Sequence, residues 1–439
     1  MKRLQLVLLF LVFLTSSFDI AFNLNLGGFN IRTCYFINLI LLGLIAADHF
    51  LGSRSWKIRI LGLVPLLIWA GFQFVFAFQS TFLNRTVGYF LWLIFNLLMV
   101  EAIRQTVLKL EVKKVLKWYL VSFGILAVFG MVQFMVGLVG IKLYTAQWWI
   151  LNHLPRINGL CYEPSYYSSY MLIGWVLCYF LTKRGIYLFS KQVQIGLLAL
   201  MGVTIFLATS RMGIAFVMVI LGWDMVQMLL RALITKRISV GNLMLQTVFV
   251  GAILGVLVYV FADQARTDRY LQGTGIRAGD SYSRDERMRQ MEQVLVIFKE
   301  SPIIGYSLGG ISPAIAKSEG EIIDNQKDAK KFEGLNIYLE VLAASGIFGF
   351  IFFVWFFWRL LREPKKLINV LRSQGFTSEA ILLGGMFTAM ISEMLILALN
   401  QNILRPYLWI AIGLTNALYF KYLSKPTAQN VSDEKVALH

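Results

Sequence analysis

Apolar runs of about 20 residues recur along the whole chain and constrain its fold more than any other feature. A run of this length spans the hydrocarbon core of a bilayer as an α-helix. Charged residues make up 15% of the sequence, whereas about a quarter is usual in soluble domains. The runs also lack the strict alternation of β-barrel strands. The sequence therefore predicts an all-α polytopic membrane protein, with about 12 transmembrane helices in a single transmembrane domain, residues 1–439.

The distribution of lysine and arginine predicts the orientation of these spans. Of the 41 Lys and Arg residues, 24 lie in connections that are cytoplasmic if the N-terminus is inside, and six lie in the short outer connections. Short cytoplasmic connections of membrane proteins carry such an excess. Both termini are therefore predicted to be cytoplasmic, with a cytoplasmic tail at 424–439. Residues 263–333, between predicted spans 9 and 10, form a predicted extracytoplasmic (periplasmic) loop.

The net charge of +17 does not by itself indicate nucleic acid. The basic residues cluster in short connections between apolar runs, so we expect the anionic lipid of the bilayer as their partner and no nucleic acid. The three cysteines and three histidines are scattered, which predicts neither a disulfide framework nor a metal site. No cofactor is expected.

The first and tenth predicted spans have features of their own in the sequence. The first runs from Leu4 to Leu24, and we expect it to stay uncleaved because no small-residue cleavage site follows it. The tenth runs from Gly334 to Leu361 and returns the chain to the membrane after the long outer loop.

The outer loop contains a predicted amphipathic helix. Ser283 followed by Glu286 matches a capping box at its start, and Ser301-Pro302 ends it. Apolar residues recur at helical spacing between these points, namely Met288, Met291, Leu295 and Phe298. We expect this apolar face to lie on the bilayer surface or against the helical bundle.

Arginines near the outer boundary are candidates for binding an anionic, lipid-linked ligand, because the guanidinium fork fits phosphate oxygens. Arg211 lies in the short hairpin LATSRMGIA, where its charge cannot easily reach water. Capping of helix carbonyls and contact with lipid phosphate are alternatives for this residue. Arg284 and Arg287 share a helical face, for which simple solvation is the alternative. The candidate arginines are Arg156, Arg211, Arg284, Arg287 and Arg289.

Two carboxylates are candidates for accepting the proton of an attacking hydroxyl. Glu163 and Glu340 each lie at a predicted membrane boundary on the outer side, where a general base could reach such a hydroxyl. Each could instead cap a helix or pair with an arginine. Asn336 and Tyr338 lie beside Glu340 and complete the candidate substrate-binding residues.

Four motifs occur in order on the predicted outer side: RINGLCYEPS, LATSRMG, SRDERMRQMEQVLVIFKESPIIGYSLGG and LNIYLEVLAASGIFG. Together they resemble the bacterial O-antigen ligase and Wzy-type polysaccharide polymerase superfamily, over roughly Arg156 to Phe350. The resemblance implies a metal-independent, inverting glycosyltransferase with a GT-C-type bundle. It also implies a place in the bacterial inner membrane, with the active site facing the periplasm or exterior.

The donor implied by the resemblance is a glycan on undecaprenyl pyrophosphate. The arginines that match Arg211 and Arg284 are expected to bind the pyrophosphate, with Arg156 in support, and Arg287 is a further candidate substrate-binding residue. A hydroxyl of an acceptor sugar would then displace it. Glu163 is expected to act as the base or to orient the acceptor, which makes Glu163, Arg211 and Arg284 the candidate catalytic residues.

One departure from the family pattern concerns the acceptor. Ligases of this superfamily typically carry His before the Asn of the re-entering segment, whereas this chain has Leu335-Asn336. The departure favours a polymerase for O-antigen, capsule or exopolysaccharide, whose acceptor is another lipid-linked repeat unit. A chain-length regulator is a further candidate partner. The alternatives are a ligase that transfers to a lipid A core or another acceptor, and a membrane transporter or flippase for lipid-linked glycans.

Overall fold

The computed structural model describes residues 2–26, 29–52, 56–150, 154–235, 251, 282–323, 325–334, 336–399 and 403–437. Within these ranges the chain is a helical bundle with two short pairs of antiparallel strands. The ninth predicted span, at 244–262, lies outside the described residues except for residue 251.

The helices are α1 Lys2–Thr15, α2 Thr33–Leu51, α3 Leu63–Ala77, α4 Leu83–Lys109, α5 Val112–Leu138, α6 Pro164–Lys183, α7 Lys191–Leu207, α8 Arg211–Thr235, α9 Tyr282–Glu300, α10 Ile311–Ser318, α11 Gln326–Ala329, α12 Ile337–Ser373, α13 Thr377–Ile396 and α14 Pro406–Ala437. The strands are β1 Leu24–Leu26, which pairs with β2 Phe29–Ile31, and β3 Trp148–Ile150, which pairs with β4 Leu154–Pro155.

Six helices in the described part of the chain are long and apolar enough to cross a membrane, namely Thr33–Leu51, Leu83–Lys109, Val112–Leu138, Arg211–Met228, Ile337–Ser373 and Thr377–Leu399. Helices α3 and α7 are apolar but shorter. The molecule is thus an all-α polytopic membrane protein, while the total of about 12 spans stays a prediction.

The first predicted span, Leu4 to Leu24, is wrong in its second half. Helix α1 ends at Thr15, and the backbone N–H of Asp19 donates to the carbonyl of Leu160 at 2.9 Å. The Asp19 side chain is 3% exposed and forms buried ion pairs with two arginines. A buried carboxylate needs such partners, and a turn at this point brings Asp19 to them.

The centre of the bundle consists of helices that are buried on nearly all sides. Helix α6 packs against α5, α7 and α13, and α14 packs against α4 and α13. Trp175 of α6 and Trp409 of α14 are almost completely buried. Helix α14 continues to Ala437, so the predicted tail at 424–439 is helical as far as the structure describes it.

The predicted helix in the outer loop is confirmed, and it packs on the bundle through a face that overlaps only part of the predicted one, with Phe298 in common. Helix α9 spans Tyr282–Glu300, so it ends directly before Ser301 as expected, whereas Ser283 lies inside its first turn and not at the predicted capping position. It buries Val294 and Ile297 against α10 and α12. Met288 is 52% exposed and Leu295 is 37% exposed, although both belong to the predicted face. The helix therefore packs against the bundle through the side that carries Val294 and Ile297, which is adjacent to the predicted face.

A break in α12 accommodates the chain that follows α9. Gly346 has φ +61° and ψ 179° inside this helix, a conformation that residues with a side chain rarely adopt. The break exposes helix carbonyls to residues 302–310, here called the ledge. The N–H of Ser307 donates to the carbonyl of Ala344 at 2.8 Å. A Cβ atom on Gly305 would lie 2.1 Å from the Ala344 oxygen, so only glycine permits this approach.

Candidate functional site

Arg85, in the first turn of α4, holds the outer loop to the bundle. Its side chain is 3% exposed. It donates hydrogen bonds to the Gly309 carbonyl at 3.2 Å, to the Ser312 hydroxyl at 3.2 Å and to the Gln326 side chain. A salt bridge to Glu333 at 3.1 Å supplies the opposite charge. One buried arginine thus joins four residues that are far apart within the loop, which makes the loop part of the bundle at this end.

An open pocket lies beside this arginine. Its polar lining comes from α4, α10, the end of the loop and α12, and consists of Arg85, Tyr89, Ser312, Glu333 and Glu340. Its apolar lining consists of Leu308, Ile311, Ile403 and Leu404. The pocket therefore combines hydrogen-bonding groups with apolar walls.

Glu340 presents a partly buried carboxylate to this pocket. Glu333 is already paired with Arg85, whereas no residue in the described ranges forms a salt bridge or hydrogen bond with the side-chain carboxylate of Glu340. Gly334 makes room for this side chain, since a Cβ atom there would lie 2.9 Å from Cγ and 3.0 Å from Oε1 of Glu340. The sequence-based candidate Glu340 thus lies in a cavity with a carboxylate that is available to a ligand.

A buried ion cluster supports the opposite wall of the pocket. Asp19 pairs with Arg32 at 3.2 Å and also with Arg405, and all three residues are at most 5% exposed. The carbonyl of Leu404 accepts a hydrogen bond from Arg32 at 3.4 Å. The guanidinium of Arg405 lies 3.7 Å from the centre of the Tyr166 ring. These contacts fix residues 403–405, and hence part of the pocket lining.

Arg156 is largely committed to the hairpin between α7 and α8. Its Nε donates to the Thr209 hydroxyl at 2.5 Å, its Nη2 to the Thr209 carbonyl at 3.1 Å and its Nη1 to the Gln147 side chain at 2.6 Å. Burial, together with the neighbouring guanidinium of Arg211, lowers the pKa of Arg156. The structure thus brings the two arginines together as predicted from sequence, but it engages three nitrogen atoms of Arg156 in protein contacts.

Arg211 and Glu163 are the exposed members of this second cluster. Arg211 begins α8, and Glu163 immediately precedes α6. Both Arg211 and Glu163 lie within electrostatic range of Arg156. The N–H of Tyr166 donates to the Glu163 carbonyl at 3.1 Å, and the Tyr166 ring lies 3.7 Å from the guanidinium of Arg405, the neighbour of the pocket residue Leu404. The arginine pair, Glu163 and the pocket are therefore neighbours at one end of the bundle.

Two other sequence-based candidates have structural contacts. The Asn336 side chain caps α12 by accepting from the N–H of Tyr338 at 3.0 Å, as expected for an N-cap asparagine. The Tyr338 hydroxyl donates to the carbonyl of Met394 at 2.5 Å. Substrate binding by these two residues stays a prediction.

Two of the three candidate arginines in the outer loop can be placed only by their backbone. Arg284 and Arg287 belong to α9, and their side chains lie outside the part of the chain that the structure describes. Arg289 forms a salt bridge with Glu319 at 3.6 Å, with its side chain 53% exposed.

Sequence reasoning missed Arg85, Tyr89 and Glu333 as members of a site. Arg85 entered that reasoning only as a charge in a short outer connection, together with Arg32 and Arg405. A usable signal was present, because a charged residue beside a long apolar run is costly unless it has a buried partner or a function. The partners are distant in sequence, so the sequence alone could not identify them.

Comparison with known families identifies one segment. Residues 196–354 match the family model described as O-antigen ligase (Wzy_C). No curated protein matches the chain. The matched segment contains Arg211, Arg284, Arg287, Glu333 and Glu340. Residues 196–354 are thus similar to the O-antigen ligase family, which supports the resemblance to the O-antigen ligase and Wzy-type superfamily.

Proposed function

We propose that this protein is a polysaccharide polymerase of the bacterial inner membrane. It transfers a glycan from undecaprenyl pyrophosphate to the sugar of a lipid-linked repeat unit at the outer face of the membrane. The observation that carries the proposal is the juxtaposition of an exposed arginine, Arg211, with a carboxylate-lined pocket at one end of the bundle.

The reaction needs stabilisation of negative charge on the leaving group. When the bond between the anomeric carbon and pyrophosphate breaks, its electron pair stays on the pyrophosphate oxygen. Arginine can stabilise this charge directly, since its guanidinium is always ionised and fits phosphate oxygens in pairs. Arg211, at the start of α8, is the proposed ligand, with Arg284 of α9 as its partner. Arg156 holds the Arg211 hairpin in place.

The acceptor distinguishes the polymerase from its closest alternative. The family description favours a ligase, whereas Leu335 occupies the position where such ligases typically carry His. We therefore propose transfer to a second lipid-linked repeat unit, with inversion at the anomeric carbon and without a metal ion. A ligase that uses a carboxylate as base is the second candidate.

The test uses the purified full chain in detergent and the lipid-linked repeat-unit fraction extracted from cells that lack this protein. A ladder of products longer than one repeat supports the polymerase. Transfer only after addition of purified lipid A core supports the ligase instead. Neither enzymatic proposal holds if no product forms with either acceptor. Gradient-dependent movement of the lipid-linked glycan in vesicles would then show that the protein is a transporter.

A further inference from the structure

The two clusters at this end of the bundle have opposite electrostatic character. The Arg211 cluster contains two guanidinium groups near one carboxylate, Glu163. In the pocket, one guanidinium, that of Arg85, faces the carboxylates of Glu333 and Glu340. A pyrophosphate carries several negative charges, so the two carboxylates repel it from the pocket while the arginine pair attracts it. The pocket is suited to a neutral ligand.

The lining of the pocket matches the surface of a sugar. The hydroxyl groups of Tyr89 and Ser312 and the two carboxylates can exchange hydrogen bonds with sugar hydroxyls. The apolar wall, which includes Ile311 and Ile403, can cover the C–H faces of a pyranose ring.

The two carboxylates are not equivalent. Glu333 is fixed by its salt bridge to Arg85 at 3.1 Å, so protonating it would leave the buried guanidinium unpaired. Glu340 lies in the same pocket without an ion pair in the described part of the chain, and Gly334 leaves it room. A carboxylate that lines a pocket and has no committed partner can take up a proton from a bound hydroxyl.

We infer that the pocket of Arg85, Tyr89, Glu333 and Glu340 is the acceptor-sugar subsite, and that Glu340 is the general base of the transfer. The inference rests on the proposed polymerase function. In the reaction, the acceptor hydroxyl oxygen forms a bond to the anomeric carbon of the donor as the bond to pyrophosphate breaks. The hydroxyl proton passes to Glu340, and the electron pair leaves with the pyrophosphate. Release of that proton to water restores the carboxylate.

The experiment compares purified full-length wild type, Glu340→Gln and Glu363→Gln. Glu363 is the matched control, because it lies on the same helix and pairs with Arg359 at 3.9 Å, away from the pocket. Each protein receives the extracted lipid-linked repeat-unit fraction, and initial rates of chain extension are measured. Binding of undecaprenyl pyrophosphate without sugar, and the midpoint of thermal unfolding, are measured in parallel.

Loss of a general base is expected to slow turnover by roughly 10²–10⁴-fold. Glu340→Gln should show this loss with unchanged binding of undecaprenyl pyrophosphate and an unchanged unfolding midpoint, while Glu363→Gln retains the wild-type rate. An extension rate within threefold of wild type for Glu340→Gln would overturn the assignment. Loss of pyrophosphate binding or of folded protein in that variant would also overturn it, since Glu340 would then be structural.

A second variant tests the position of the carboxylate rather than its charge. Gly334→Ala places a methyl group 2.9 Å from Cγ of Glu340 and 2.7 Å from Cγ2 of Val294 on α9, so we expect slower extension and a lower unfolding midpoint with unchanged pyrophosphate binding. A wild-type rate for this variant would contradict the geometry assigned here. If the wild type itself extends no chain, the polymerase proposal fails, and this assignment fails with it. If the wild type and Glu340→Gln both extend chains, only the assignment of Glu340 as the general base fails, and the polymerase proposal stands.

Discussion

Arg85 and Arg211 lie at the same end of the bundle and differ in what surrounds them. Arg85 is 3% exposed and is satisfied by one tyrosine and four residues of the outer loop. Arg211 is exposed at the start of a helix, on a hairpin that Arg156 holds. A buried arginine with a full set of partners stabilises structure, whereas an exposed arginine beside another guanidinium is placed to bind an anion. The family match at residues 196–354 includes Arg211 but not Arg85.

Replacement of Arg85 should have the largest effect on stability. Arg85→Met leaves Glu333 partly buried without its ion pair, which costs about 3–5 kcal/mol, and releases the ledge at Gly309. We expect a sharp fall in the thermal unfolding midpoint or in the yield of folded protein. The double variant Arg85→Met/Glu333→Gln should recover part of the loss. Arg85→Met with wild-type stability would show that the loop is held by other contacts.

Replacement of Arg211 should have the largest effect on activity without loss of folded protein. Removing a group that stabilises developing charge typically costs about 10²–10³-fold in turnover, so Arg211→Ala should abolish long chains, as should Arg284→Ala. Arg211→Lys should retain only part of the wild-type activity, because the lysine ammonium lacks the planar fork of the guanidinium group. Polymer length in a complemented strain measures this effect. Arg372→Ala, an exposed arginine at the far end of α12, is the control.

A pair of adjacent glycines tests how closely the ledge packs on α4. A Cβ atom on Gly309 would lie 2.6 Å from Cα of Thr86, whereas one on Gly310 would meet its nearest atom, in Ser80, at 3.4 Å. Gly309→Ala should therefore lower stability by about 1–3 kcal/mol through overpacking. Gly310→Ala should be tolerated. Equal unfolding midpoints for the two variants would contradict the close approach.

Replacement of Arg156 should have the smallest effect of these changes, and it should affect both stability and activity. Arg156→Lys keeps the charge beside Arg211 but cannot reproduce the hydrogen bonds to Thr209 and Gln147. Each lost hydrogen bond costs about 0.5–1.5 kcal/mol, so a modest fall in the unfolding midpoint and a several-fold fall in extension rate are expected. An unchanged unfolding midpoint would argue that Arg156 serves the ligand rather than the hairpin.

Local patterns in the sequence predicted local structure well. The capping box and the terminal Ser-Pro located helix α9, because caps act within one turn. The face that this helix buries was not predictable. Its side chains offer two adjacent apolar stripes, and the packing of Val294 and Ile297 against α12 and α10 selects one of them.

Long-range pairing explains most of what the sequence could not provide. Asp19 looked like a residue of the first membrane span, yet it pairs with Arg405 near the other end of the chain. Arg85 likewise pairs with Glu333, which is far from it in the sequence. No local spacing encodes such pairs. The nearness of Arg156 to Arg211 was expected because both motifs fell in neighbouring outer connections.

The central claim is that the arginine cluster binds the pyrophosphate and the carboxylate pocket binds the acceptor. Its most direct test is the affinity of purified wild type, Arg211→Ala and Glu340→Gln for undecaprenyl pyrophosphate without sugar. We predict that Arg211→Ala weakens this affinity at least tenfold, about 1.4 kcal/mol, and that Glu340→Gln leaves it unchanged or slightly tighter. Unchanged affinity in Arg211→Ala together with weakened affinity in Glu340→Gln would contradict the account.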